Sequence, residues 1–367
     1  MYQELSGVRV MAYTTIDDPS AYFQIALYNG SASSVTVTND GNSDLQPDWL
    51  WFKKRNTTGD HNTFDTSRGL TERLFPNLTS QSDTTDPNGI SSLTDGFTTG
   101  TSYGDVNGAG NTFVTWQWKA NGGSRTTFTE SGANPGGGYQ ANTTAGFSIV
   151  DYTGTGTNGG TVAHGLGATP TIAIIKDRDT VGTNWIVAYT IQDGSSDRLY
   201  LQDTNSKFDL PDGSTEFRVD FSSSNITLGT WNNINADGKK FIAYVFTPIQ
   251  GYSKFGSYTG NGSLDGPFVY LGFKPAWVLI KQTSTIQNWI LYDNKINPFN
   301  EAVTKLSPNL SNAEDSSTGN NDIDMLSNGF KVTEDNNDMN ESGQNFIYMA
   351  FAESPFVSSE GVPTTAR

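Results

Sequence analysis

Pro47-DWLWFKKR, Pro170-TIAIIKDR and Pro275-AWVLIKQT are three versions of one stretch. Each enters an apolar run after a proline and reaches a lysine six residues later: Lys53, Lys176 and Lys281. Upstream of each stands a Tyr-x-Gly: Tyr28-Asn-Gly30, Tyr152-Thr-Gly154 and Tyr258-Thr-Gly260. Downstream lies a second run: Phe113-VTWQW, Phe241-IAYVF and Phe346-IYMAF. In the first of these, Val114, Trp116 and Trp118 alternate with Thr115 and Gln117, the period-two pattern of a half-buried strand. The other copies repeat it with Ile242, Tyr244 and Phe246, and with Ile347, Met349 and Phe351. A loop precedes each run: Asp105-x-Asn107-x-x-Gly110, Asn233-x-Asn235-x-Asp237-Gly238 and Asp338-x-Asn340-x-x-Gly343. Its glycine falls three residues before the phenylalanine in every copy, so the alignment needs no gap. One unit is present three times.

The units span residues 11–120, 144–252 and 253–357, each long enough for a small domain. Residues 121–143, rich in Gly, Ser and Thr, read as a flexible or extended linker. Residues 1–10 read as an N-terminal leader or arm and residues 358–367 as a tail. The second and third units join at Gly251-Tyr-Ser-Lys254 with almost no spacer, so rigid packing between them is expected. Gly, Asn, Asp, Ser and Thr break nearly every stretch before a helical period runs three turns. Only Ser67-RGLTERLF and Asn300-EAVTKL suggest a short helix or turn, at matching places in their repeats. The expectation is all-β: three tandem antiparallel β-sandwich domains, jelly-roll or lectin-like.

Composition narrows the function. With no Cys, disulfides, thiolate zinc sites and Cys nucleophiles are excluded. A formal net charge of −16 with no basic cluster argues against nucleic acid or an anionic membrane as partner. No apolar run is long enough to span a bilayer as a helix. The first residues carry no apolar stretch of the secretory kind.

Four chemistries remain to be weighed. Asn233, Asn235 and Asp237 place oxygens at alternate positions before a glycine, as calcium loops do. No distal bidentate glutamate follows, however, and Asx turns with a positive-φ glycine explain the pattern better. His61 and His164 lie in loops without a spaced Ser and Asp to make a triad. Acidic pairs such as Glu334-Asp335 and Asp338 sit in Asn- and Ser-rich loops, where solvated ions are expected rather than a glycosidase pair. Among the aromatics, Trp49, Trp51, Trp185, Trp277 and Trp289 recur at matching positions and read as core. Trp231, Tyr252, Tyr103 and Phe299 fall in less regular stretches and are the candidates for stacking on a glycan.

Met11-AYTTIDDPSAYFQ, Asn39-DGNSDLQPDWLWFK, Phe113-VTWQWKANGG, Thr144-AGFSIVDYTGTG, Val162-AHGLGATP, Phe273-KPAWVLIK and Pro355-FVSSEGVPTTAR together carry a resemblance. From Met11 onward the chain is similar to proteins assigned as tail-fibre or virion structural proteins of marine bacteriophages. That resemblance implies a non-enzymatic virion protein with no catalytic residues to carry over and no cofactor. It implies a tail fibre or spike that attaches to the host, partnered by other virion proteins, by its own copies as a homo-oligomer (a trimer being the common fibre habit) and by a host glycan. Repeated units would extend reach and add avidity. A capsid decoration or head fibre, a secreted carbohydrate-binding protein and a polysaccharide depolymerase are the alternatives, in falling order.

Overall fold

The computed structural model describes residues 12–31, 33–83, 89–101, 104–209, 214–319 and 321–364. Each repeat builds the same four-stranded antiparallel sheet. Its opening strand carries the Tyr-x-Gly (Phe23–Asn29, Phe147–Thr153, Ser253–Thr259) and pairs with the closing strand (Thr112–Trp118, Lys240–Phe246, Asn345–Pro355). On its other side the closing strand pairs with the proline strand (Trp49–Lys54, Ile172–Asp177, Phe273–Gln282). A return strand comes next (Asn62–Asp65, Trp185–Tyr189, Trp289–Asp293) and ends the sheet in the first and third units; in the second, Asp197–Tyr200 and Phe208–Asp209 continue it, and the whole sheet has eight strands. Register repeats as well: Phe23 faces Trp118, Phe147 faces Phe246 and Ser253 faces Phe351. A three-stranded antiparallel sheet covers one face in each unit, centred on Phe97–Thr98, Asn225–Leu228 and Gly329–Val332. The fold is an all-β sandwich, as the strand pattern predicts.

The repeated motifs are the joints of this unit. Tyr28, Tyr152 and Tyr258 donate their hydroxyls to the carbonyls of Val106, Ile234 and Met339. Their rings stack on Phe113, Phe241 and Phe346 at 5.2, 5.0 and 4.9 Å. At Gly30, Gly154 and Gly260 a Cβ would lie 2.3 Å from the carbonyl oxygen of Gly108, Ala236 or Glu341, so only glycine fits. Asn107, Asn235 and Asn340, all buried, accept from the backbone N–H of Ser31, Thr155 and Asn261. The Asn/Asp loop itself folds as one helical turn (Gly104–Asn107, Asn232–Asn235, Asn337–Asn340).

Three expectations need correction. The large sheets are not half-buried. In the proline strand Trp49–Lys54 every residue is buried, and so are Thr115 and Gln117 on the closing strand. Leu50, Phe52 and Phe64 face the unit's own small sheet, while Trp49, Trp51, Trp116 and Trp118 face outward into a second core. That second core is common to all three units: Ile149, Ile174, Tyr244 and Phe246 of the second and Trp277, Leu279, Met349 and Phe351 of the third join it. Trp49 lies near its middle, 4.3 Å from the Trp118 ring and 4.1 Å from Tyr244 across the unit boundary. The three units therefore back onto one another instead of standing in a row.

Residues 121–143 do not behave as a free linker. They form strands Thr126–Phe128 and Gly136–Asn142, which extend the second unit's sheet beside its opening strand. The glycines serve contact here: a Cβ on Gly137 would meet the Asp151 carbonyl at 2.1 Å. Of the short helix or turn expected at Ser67 and at Asn300, the structure forms turns at the first and bends at the second. Each segment then bridges to the return strand through Leu74 or Leu306, and both leucines are drawn into the shared core. The N-terminal arm (1–10) lies outside the described residues.

Candidate functional site

The seams between units are built by one set of positions used three times in a closed circuit. Register makes His61, Trp185 and Trp289 equivalent, each paired with the buried lysine of its proline strand or one residue beyond the paired end. Trp185 Nε1 donates to the Phe75 carbonyl (2.8 Å) and Trp289 Nε1 to the Tyr200 carbonyl (3.0 Å). His61 Nε2 reaches the Ser307 carbonyl at 3.2 Å. Trp51 Nε1 donates to His61 Nδ1 (2.9 Å), so the neutral ring carries its hydrogen on Nε2, as the Ser307 contact requires. Unit two thus holds unit one, unit three holds unit two, and unit one holds unit three. Backbone bonds repeat the circuit: Gly182 to Thr79, Gln287 to Thr204 and Gly59 to Ser311.

Lys53, Lys176 and Lys281 lie inside these seams, fully buried. Their Nζ groups donate to carbonyls: Lys53 to Gly59 and Ser311, Lys176 to Thr183, Lys281 to Gln282 and Thr204. Burial lowers each pKa to about 8. Between pH 8 and the unfolded value near 10.5 the unfolded chain therefore binds more protons, and stability rises with pH. Each lysine adds about 1.4 kcal/mol per pH unit across that window. Buried tyrosines, raised by desolvation, reverse the trend above about pH 10. A melting temperature that rises from pH 8 to 9.5, and that flattens when the three lysines become Met, is the expected result.

A second circuit uses the closing strands. Trp116 Nε1 donates to Asp293 of unit three (2.9 Å), and the Tyr244 hydroxyl to Asp65 of unit one (2.8 Å). Asp65 also pairs with Arg68, both side chains being fully buried. At the third seam the equivalent residues are Met349 and Tyr189, an apolar exchange of donor and acceptor together. Burial raises the Asp293 pKa, with the Ile296 N–H and Trp116 opposing it.

The residues singled out for ligands are scattered among these roles. Tyr252 is 1% exposed, with its ring against Tyr22 and Phe351, and offers no free face to a sugar. Trp231 is half-buried and, with Phe208 and Phe217, encloses the Arg198 guanidinium at 4.2 to 4.8 Å. Cation–π contact there stands in for hydrogen bonds to Arg198 Nε and Nη1. Phe299 is 79% exposed, and Tyr103 lies outside the described residues. Of the calcium candidates, Asn233 accepts from the Asn184 N–H (2.7 Å). Both hydrogens of the Asn235 amide go to carbonyls, those of Thr157 and Gly229, and Asp237 is exposed. His164 accepts from the Leu166 N–H and holds the Ser222 carbonyl through Nε2, while burial lowers its pKa. Elsewhere, carboxylate oxygens of Glu301, Asp322 and Glu334 lie within 4.8 Å of one another in the third unit.

One concavity of useful size stands on a seam. A cleft of about 300 Å³ lies between units one and three. Its floor is Phe23, Ile25, Ala276 and Ala352; its rim is Asp18, Asp40, Asn42, Asn294, Lys295 and Glu353. Lys295 Nζ grips both oxygens of Asp40 at 2.7 Å across the mouth. Sequence reasoning missed this place because its two walls are some 250 residues apart, as the Asp40–Lys295 separation of 255 shows.

A single family model, described as Domain of unknown function (DUF7483), matches residues 18–355, across all three units and the strands between them. The chain belongs to that family. The DUF7483 match begins and ends close to where the shared core does, from Ile16 to Phe351. None of the curated proteins matches the chain, and none of the solved structures does. Among the described residues no helix is long and apolar enough to cross a membrane.

Proposed function

We propose that the chain is a non-enzymatic structural protein of a phage particle, a component of a tail fibre or spike that contacts the host surface. The observation that carries this reading is the double circuit of seam contacts around one core. His61, Lys53, Lys281, Asp65 and Asp293, of the residue types from which an active site is usually drawn, are spent on holding units together. A body so closed has little internal freedom, because its three units share one core. That suits a rigid part mounted in a symmetric assembly. The likeness of its sequence to virion proteins points the same way.

Antibody–gold labelling of intact particles tests the reading. Label on the tail or its fibres is expected, followed by binding of purified protein to host cells. Label over the head would replace the fibre with a capsid decoration or head fibre. Release of reducing ends from host polysaccharide by the purified protein would overturn the non-enzymatic reading.

A further inference from the structure

In the second unit the edge of the opening strand is not bare. Strand Gly136–Asn142 lies on it, with Gln140 opposite Ile149. Gln140 bonds Thr66 and Ser67 of unit one, and so closes that seam. Tyr139 packs over Gly165, where a Cβ would come within 2.1 Å of its ring. The third unit repeats the tyrosine contact with another segment, while the outer edge of Ser253–Thr259 carries no strand among the described residues. Tyr13 packs over Gly272, the register equivalent of Gly165, and donates its hydroxyl to the Gly272 carbonyl (2.8 Å). The tyrosine position is thus filled in two of the three units, and the outer edge of the opening strand is covered by a strand in the second.

The first unit's slot holds no strap among the described residues. It is the 300 Å³ cleft, bordered by Ile25, the equivalent of Ile149, and by Asn294 and Lys295, the equivalents of Thr66 and Ser67. Where the other slots have glycine stands Asp40, 70% exposed on its side chain. Leu27, on the same edge, is 39% exposed. We propose that this slot receives an extended segment of a partner protein, added to the edge of strand Phe23–Asn29, with a Lys or Arg at the position that Tyr139 and Tyr13 occupy elsewhere. The strap of the second unit shows what shape fits, and Asp40 sets the charge of the first unit's slot. Strand addition supplies main-chain hydrogen bonds for affinity and side-chain pockets for choice. Asp40 would exchange Lys295 for the incoming base, so the ion pair acts as a displaceable latch.

The probe is a synthetic peptide with the sequence of residues 134–144 carrying Tyr139→Lys, titrated into the isotope-labelled full chain. Shifts confined to the amides of Phe23 to Leu27 and of Asn294 and Lys295 are expected. An N-methylated form should lose them, since the main-chain bonds cannot form. Asp40→Ala, an exposed change that should not disturb folding, is expected to weaken binding about two- to fivefold, the scale of a surface ion pair. Equal shifts from a scrambled peptide of the same composition would overturn the proposal. So would a cleft that ignores the peptide, or one that responds instead to a methyl glycoside, which would make it a sugar site. None of these outcomes depends on the particle in which the chain resides.

Discussion

Residues 121–252 expressed alone are expected to give no stable fold, although they contain a complete repeat. Detached, the unit would leave Ile149, Ile174, Trp185, Val187, Tyr244 and Phe246 facing water, all of which the shared core now buries. At about 1.5–3 kcal/mol for each large apolar side chain, six such residues forfeit roughly 9–18 kcal/mol. That matches or exceeds the 5–15 kcal/mol that holds a typical domain together. Weak near-UV circular dichroism and strong dye binding would report the loose state. The whole chain, by contrast, should melt in one calorimetric transition. A sharp melt of the isolated unit, or three resolved transitions in the full chain, would show that the units are independent after all.

The second large effect is expected at Asp65. Asp65→Ala removes the carboxylate paired with the fully buried Arg68 side chain and takes the acceptor from Tyr244. Loss of one member of a buried ion pair costs about 3–5 kcal/mol, because the other charge stays in the interior unpaired. The chain itself shows how to repair it, since its third seam runs on Tyr189 and Met349. The triple change Asp65→Tyr, Arg68→Leu and Tyr244→Met should recover most of the loss, as apolar replacement of a buried ionic group often does. Chemical denaturation of the two variants beside the parent chain decides the matter. A mild Asp65→Ala, or a triple variant no better than the single, would mean that the seam does not depend on this carboxylate.

Much of the fold was legible in the sequence. The Tyr-x-Gly, the proline run and the Asn/Asp-Gly loop each mark a joint that every copy must make, so their spacing survives and aligns without gaps. The candidate site was not legible. Tyr252 and Trp231 stand in irregular stretches, yet one is core at a junction and the other a lid on Arg198. Irregular spacing signals a departure from the repeat, and packing between units produces such departures as readily as a ligand does. The equivalence of His61 with Trp185 and Trp289 was hidden for a related reason. Only strand register aligns a histidine with two tryptophans, and only the neighbouring carbonyl shows that all three are ring N–H donors.

By itself the sequence determined the unit: its strands, their order and the glycines that let them close, because these depend on residues near one another within a single copy. Tertiary structure alone decided what lies on the far face of each sheet. A tryptophan at Trp49 or Trp116 reads the same whether it faces a ligand, a partner or a sister unit; the choice is made by surfaces hundreds of residues away. The same distance explains the slots. A strap of Gly136–Asn142 looks like a linker until the edge that it covers is seen, and the first unit's edge, uncovered among the described residues, becomes visible only beside it.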